Sequence, residues 1–245
     1  MSFVAGLRQA LDLRQSDVVS ELSRGDSLEE ILNRHLLTVE RMSDREILTS
    51  ILLLSPDGKR LTHGAAPSLP QPYREAIDGS EIGPSAGSCG TAAYLGRPIY
   101  VTDIATDPLW AAYRDLALPH GLRSCWSTPI RHHDGDVMGT FAIYHRTLSG
   151  PTRDELAAIE IITDNVAQAI AWARNPDATM QATDMLPRQV AALGAIVAAI
   201  EQQASALDPE GQRAIDAIVK ASDELAEVVR RHLAEPQADI AVSSH

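Results

Sequence analysis

The chain has 245 residues, a net charge of −12 and a sequence pI near 5.0. That balance argues against nucleic-acid binding driven by phosphate contacts, and no local basic patch offsets it. No window approaches the roughly 18 apolar residues of a membrane span, and Arg8, Asp12 and Arg14 interrupt the N-terminus before a signal-peptide core can form. The expectation is a cytoplasmic protein with no membrane and no nucleic-acid partner. Hydrophobic residues make up 44% of the chain, enough for a core, but aromatics only 4%. Seven of the ten aromatics lie between Tyr94 and Tyr144, and Cys89 and Cys125 sit in or beside the same window.

Val4, Leu7, Leu11, Val18 and Leu22 recur at helical spacing, so residues 1–24 read as an amphipathic N-terminal helix ending at Arg24-Gly25. Ser27 and Glu30 have capping-box spacing, and Leu28, Ile31, Leu32, His35, Val39 and Met42 line one face of the helix that follows. Ile47 to Leu54 and Arg60 to His63 read as strands joined by the Asp57-Gly58 turn. The Pro-rich stretch from Ala65 to Pro72 reads as loop, and Tyr73 to Ile77 as a short helix. Gly83, Pro84, Gly87 and Gly90 predict a loop that brings backbone close to something. Ile99 to Asp103 is strand-like, and Asp107-Pro108 opens a helix with a cap followed by proline. Arg123 to Ile130 and Val137 to His145 form a second hairpin around Asp134-Gly135. Thr152 and Glu155 form a second capping box, before a helix with Leu156, Ile159, Ile162, Val166, Ile170 and Ala173 on one face. Hairpins in place of βαβ alternation predict an antiparallel sheet and an α+β class.

From residue 176 to 235 the composition shifts to Ala, Gln and Glu. Leu186, Val190, Leu193, Val197, Ile200, Ala204 and Leu207 keep a seven-residue repeat. Ala214, Ile218, Ala221, Leu225 and Val228 stripe a second helix opened by Asp208-Pro209. Together they predict a C-terminal helical hairpin that pairs with a second copy or with a separate signalling protein, or folds back on its own domain. Residues 236–245 read as a disordered tail.

Several blocks recur in order: Gly87-Ser88-Cys89-Gly90-Thr91-Ala92-Ala93, Val101-Thr102-Asp103-Ile104, Asp107-Pro108-Leu109-Trp110, the run from His120 to Ile130, and Gly139-Thr140-Phe141-Ala142-Ile143-Tyr144. Over residues 25–175 they resemble the GAF domains of bacterial sensor proteins. The resemblance implies an antiparallel sheet flanked by helices, with a pocket between the sheet and the Gly-rich and Asp107 segments. GAF relatives include small-molecule, cyclic-nucleotide, redox, haem and bilin sensors, so the cofactor is left unknown. They also include one enzymatic branch, the free methionine-(R)-sulfoxide reductases. Cys89 matches the Cys-Gly-Thr-Ala-Ala block of that branch. The loop that holds its catalytic cysteine corresponds to Pro108 through Pro119, which has no cysteine, and its acidic substrate contacts fall at Cys125, Ala142 and Tyr144.

Strand alternation sets Arg123, Cys125, Ser127 and Pro129 on one face and Trp126 on the other; Thr140, Ala142 and Tyr144 oppose Phe141 and Ile143. Under the resemblance, Cys125, Ser127, Thr140, Ala142 and Tyr144 form the pocket floor, with Tyr94, Trp110, Tyr113 and His120 as wall or lid. Trp126 reads as core. The candidate ligand-binding set is Trp110, Tyr113, His120, Arg123, Cys125, Ser127, Thr140 and Tyr144. Arg123 beside Ser127 and Thr140 favours a compact polar or anionic ligand, unless it pairs with Asp115 on the surface. Cys89 and Cys125 are candidate redox residues, set against the commoner fate of buried thiols. Two cysteines without Cys-x-x-Cys spacing predict no metal site, and His132-His133 read as a solvated hairpin tip. A haem would need an inward histidine, for which His120 and His145 are the candidates. No histidine lies between His145 and His232 to serve as a kinase phosphoacceptor. The expected function is a non-catalytic sensor that relays ligand binding or redox state through its flanking helices. A thiol reductase and a structural dimerisation module without a ligand are the alternatives.

Overall fold

The computed structural model describes residues 3–175 and 209–234, together with the isolated helical positions 190, 193, 194, 197 and 200. The chain divides into two compact units, Met1–Arg174 and Asn175–His245.

In the first unit α1 (Phe3–Ser23) and α2 (Leu28–Met42) precede β1 (Leu48–Leu54) and β2 (Arg60–Ala65). Next come α3 (Gln71–Ile77), β3 (Ser80–Glu81), α4 (Gly87–Leu95) and β4 (Ile99–Val101). Single 3-10 turns at Pro108–Trp110 and Leu118–His120 flank α5 (Arg114–Ala117), and β5 (Ser124–Arg131), β6 (Val137–His145) and α6 (Arg153–Arg174) complete the unit. Both predicted capping boxes form. Ser27 accepts from the Glu30 N–H at 3.2 Å while the Glu30 carboxylate accepts from the Ser27 N–H at 2.8 Å. Thr152 and Glu155 repeat the pattern at 3.3 and 2.7 Å.

The six strands form one antiparallel sheet in the order β3-β2-β1-β6-β5-β4, as the α+β reading requires. In it β1 pairs with β6 through Leu48↔Tyr144 and Leu52↔Thr140, and β5 pairs with β6 through Cys125↔Tyr144 and Ser127↔Ala142. β6 runs so close to β1 that a Cβ at Gly139 would meet the Leu52 carbonyl. The pleat then separates two cores. Ile51, Trp126, Phe141 and Ile143 pack under α1, α2 and α6, with Leu7, Leu11, Val18, Ile31, Leu36 and Ile162. Leu48, Leu52, Cys125, Ala142 and Tyr144 face the other layer, against Tyr73, Cys89, Ala92 and Trp110. Each fully buried large side chain contributes roughly 1.5–3 kcal/mol, and Trp126 belongs to the helical core, as expected.

One local reading needs correction, and one strand was not expected. The Gly-rich segment is not all loop: Gly87 through Ala93 form the buried body of α4. Its residues are small, so the helix backbone lies directly against β4, β5 and β6. β3, a two-residue edge strand, is too short to leave a pattern.

The N-terminal helix is held by charge as well as by its apolar stripe. Glu21, 5% exposed, accepts from Arg14 Nη1 at 3.0 Å and pairs with Arg34 Nη1 at 2.9 Å; the same Arg34 nitrogen reaches Asp26 at 2.7 Å. Burial pushes the Glu21 pKa up, but the hydrogen bond and charge of Arg14, then Arg34, outweigh it and leave the carboxyl below its ordinary value of 4.5.

In the second unit, α7 (Pro209–Ala234) buries Ile215 and leaves Ile218 52% exposed. The inward position is therefore one residue beyond the predicted Ala214, which is exposed. The side chains of Leu225 and Val228 lie outside the described residues, as do Leu186, Ala204, Leu207 and the tail 236–245. Of the heptad positions described, Val190 is buried while Leu193 is 50% and Ile200 45% exposed.

Because the native Glu21 carboxyl titrates below its unfolded value, its pairing contributes stability that is complete above about pH 4.5 and is lost as pH falls through the lower native pKa. Glu21→Gln is expected to flatten this acid limb, seen in urea midpoints between pH 3 and pH 6, and to lower stability by about 1–3 kcal/mol at neutral pH.

Candidate functional site

The site begins with α4. Gly87, its first residue, has φ +62°, and a Cβ there would lie 3.9 Å from both the Trp110 and Tyr113 rings. That is ordinary contact distance, so it is the positive φ, which L side chains rarely adopt, that calls for glycine at the opening of the helix. Asp107 caps the Pro108–Trp110 turn by accepting from the Leu109 N–H at 2.9 Å, which directs Trp110 inward. The indole Nε1 donates to Ser88 Oγ at 3.0 Å, and that hydroxyl donates to the Cys125 carbonyl at 3.1 Å. A hydrogen-bonded chain thus joins the lid aromatic to the sheet.

Beneath lies a small, partly open cavity of about 30 Å³, lined by Tyr73, Cys89, Trp110, Tyr113, Tyr144, the start of α4 and aliphatic residues of β1 and β2. None of the described lining residues is charged. Tyr73 and Tyr144 meet edge to face at 5.8 Å and 84°, and Cys89 Sγ stands 3.9 Å from the Tyr144 hydroxyl.

The sheet side of this layer carries an unusual set of polar atoms. Ser50, Ala142 and Ser127 form one row across β1, β6 and β5; Leu52, Thr140 and Pro129 form the adjacent row. The hydroxyls of Ser50, Ser127 and Thr140 are all buried; none meets full hydrogen-bond geometry, but Ser127 and Thr140 stand near the Cys89 thiol and Ser50 near the Tyr144 hydroxyl.

The two thiols share this ground. Cys89 is drawn down to about 7, first by the Cys125 thiol beside it and then, against burial, by the nearby Ser127, Tyr144 and Thr140 hydroxyls. Cys125 is pushed well up by burial and by the neighbouring Cys89. Burial also raises Tyr73 and Tyr144, so both phenols keep their protons as donors.

Of the sequence-derived candidates, the structure brings Trp110, Tyr113 and Tyr144 into the cavity lining. Cys125, Ser127 and Thr140 stand on the same sheet face, fully buried. The others separate. Arg123 is exposed and pairs with Asp103 at 3.8 Å, not with Asp115, because it lies just outside the start of β5. His120 stands behind Tyr73, ring centroids 6.1 Å apart. Tyr94 is 54% exposed on the outer side of α4 and is no part of the lid. His145 points to the opposite face, against Trp126 at 4.3 Å. The sequence reading missed Tyr73 and Ser50, and for both the signal was available: an aromatic in a short amphipathic helix, and a serine in phase with Leu48 and Leu52.

Among the described residues a metal has one candidate set. His132, His133 and Asp134 bring one ligand atom each within 4.8 Å of one another. All three sit on the solvated β5–β6 turn, where His132 Nδ1 pairs with Asp134 at 2.8 Å.

A curled antiparallel sheet with helices on one face, and on the other a cavity under a short glycine-opened helix, defines a pocket-bearing α+β domain. The chain belongs to the GAF domain family, whose model matches residues 25–171. It is 36% identical over 151 residues, 62% of its length, to the methyl sulfide methyltransferase-associated sensor of Methanosarcina acetivorans, and it spans only 15% of that relative. Among solved structures it is similar to a GAF sensor protein from Burkholderia vietnamiensis, with TM-score 0.55 and 21% identity over 71% of this chain and 100% of the other. It is similar also to the free methionine-R-sulfoxide reductase of Neisseria meningitidis, solved with its substrate, with TM-score 0.54 and 17% identity over 72% and 95% of the two chains. No helix among the described residues is long and apolar enough to cross a membrane.

Iodoacetamide is expected to label Cys89 and spare Cys125, with a half-maximal rate near pH 7. Cys125→Ala is expected to move that midpoint upward, since it removes the neighbour that most favours the thiolate. Intact-mass and peptide mapping across pH 5.5 to 9 reads both.

Proposed function

We propose that the chain is a non-catalytic sensory module whose α4 cavity binds a compact, uncharged, hydrogen-bonding small molecule. The observation that carries this reading is the lining of the cavity, uncharged and aromatic, with the Tyr73 and Tyr144 phenols and the Cys89 thiol as its hydrogen-bonding groups. A ligand that hydrogen-bonds with them is accommodated, whereas a charged one would meet no counter-charge in the lining. The removal of Arg123 to the surface argues against the anionic ligand that its sequence position suggested. The similarity to a curated sensor supports a sensory role. The reductase reading is disfavoured because Pro108 to Pro119 carries no cysteine, although Cys89 and Cys125, buried in the same cluster, offer a redox trigger in place of a ligand. In that case peroxide would oxidise the Cys89 thiolate to a sulfenic acid, and the Cys125 thiol would displace water to form the disulfide.

Native mass spectrometry of the purified chain, followed by thermal-shift screening of small neutral amides, alcohols and ureas, tests the reading. A retained or stabilising molecule is expected, with affinity at least tenfold weaker in Tyr73→Phe/Tyr144→Phe, because each lost hydrogen bond is worth about 0.5–1.5 kcal/mol. Robust turnover of free methionine sulfoxide with a thiol donor, abolished by Cys89→Ser, would overturn it in favour of the enzyme. Loss of two hydrogens on peroxide treatment, with no ligand found, would favour the redox trigger. No ligand and no disulfide would leave the structural-module reading.

Relay requires that one arrangement of the helices bind the ligand better than another. We infer that the C-terminal helices pair with a second copy, supported by the exposure of Leu193, Ile200 and Ile218. Light scattering is expected to give a dimer that becomes a monomer on removal of residues 184–235. A full-length monomer at high concentration would refute pairing.

A further inference from the structure

The turn that joins β5 to β6 reads His132-His133-Asp134-Gly135-Asp136. Its backbone is closed twice: the His132 N–H donates to the Asp136 carbonyl at 2.8 Å, and the Gly135 N–H donates to the His132 carbonyl at 2.9 Å. Gly135 takes φ +98°, which L side chains rarely adopt, and so lets the chain reverse within these few residues. The Asp136 N–H donates to Asp134 Oδ1 at 3.3 Å and holds that carboxylate in place.

The tight turn gathers three metal-ligating side chains. His132 Nδ1 lies 2.8 Å from Asp134 Oδ1 and 2.9 Å from His133 Nδ1. His133 Nδ1 is also 3.1 Å from His132 Nε2, the two rings meeting edge to face with centroids 4.0 Å apart at 77°. A neutral histidine carries one N–H, so a hydrogen on His132 Nδ1 has both a carboxylate and a second imidazole to serve. A cation in place of that hydrogen would satisfy all three groups at once. The carboxylate is charged and able to take part: the hydrogen bond from His132, then that from the Asp136 N–H, hold Asp134 below its ordinary value of 3.8. Arg131, the cation just before the turn, gives its guanidinium to the Gly135 and Gly96 carbonyls instead.

The donor set restricts the ion. Two imidazoles and one carboxylate suit late first-row metals, whereas Mg²⁺ and Ca²⁺ take oxygen ligands. Zinc bonds of about 2.0–2.2 Å set neighbouring ligand atoms of a tetrahedron about 3.3 Å apart. The atoms of this cluster need only turn and spread slightly to reach that spacing, and they have room to do so, since His133 and Asp134 are exposed and the His132 side chain is 33% exposed.

We propose that the β5–β6 turn is a surface site for a divalent cation of the zinc, nickel or copper class, held by one nitrogen each of His132 and His133 and by the Asp134 carboxylate, with water completing the coordination. Neither cysteine takes part, and the proposal does not depend on what the α4 cavity binds.

The test uses the full chain labelled with ¹⁵N, titrated near neutral pH with Zn²⁺ and, separately, with Mg²⁺. The expected result is a saturable shift of the His132 and His133 ring signals with Zn²⁺ and none with Mg²⁺. His132→Ala and Asp134→Asn are each expected to weaken Zn²⁺ binding at least tenfold, with unchanged amide signals from Phe141 and Ile143 verifying the fold. Should a variant not fold, the ring shifts of the unaltered chain decide the same point. Unmoved or linearly drifting His132 and His133 signals, an equal response to Mg²⁺, Zn²⁺ taken up only at Cys89 and Cys125, or unchanged affinity in both variants would overturn the proposal.

Discussion

The structure depends on the pleat of two strands. In β5 and β6 successive side chains leave opposite faces of the sheet, so a residue's parity decides which of two chemical environments it enters. Trp126, Phe141 and Ile143 go to the helical layer, whereas Cys125, Ser127, Thr140 and Tyr144 go to the α4 layer. A shift of one residue would bury the aromatics beneath α4 and drive the hydroxyls and thiol into the aliphatic core. Gly139 enforces the register from the β1 side, because only a residue without Cβ lets β6 approach the Leu52 carbonyl.

The two ways in which this protein buries polarity are instructive together. The Glu21 carboxylate is deep but saturated, with Arg14 and Arg34 supplying donors from two helices. A saturated buried pair locks geometry and adds little net stability. The Ser50, Ser127 and Thr140 hydroxyls are the reverse case, desolvated with only the Cys89 thiol and the Tyr144 hydroxyl nearby and no full hydrogen-bond geometry. Natural cores rarely hold several such groups on one face.

Much of this was legible in the sequence wherever a local rule acts alone. The Ser27/Glu30 and Thr152/Glu155 boxes, the Asp134-Gly135 hairpin and the alternation of Cys125, Ser127, Thr140 and Tyr144 all require only near neighbours. Gly87 to Ala93 misled because glycine ordinarily breaks helices, whereas here small residues were the condition for laying α4 flat on the strands. Arg123 has the parity of Cys125 but lies one residue before β5, where the pleat no longer governs direction. Ser50 and Tyr73 came from segments read only for secondary structure, since nothing local shows that β1 and α3 converge on β6. The pairing of His145 with Trp126 across two strands is likewise a product of register.

Tyr144 and His145 are consecutive residues, and they line different cavities. A single peptide unit is therefore the partition between the two faces of the module. A displacement of that unit would move both side chains together, since β1 and β5 clasp it from both edges. The thinnest element of the fold thus ties the packing of its two faces to each other.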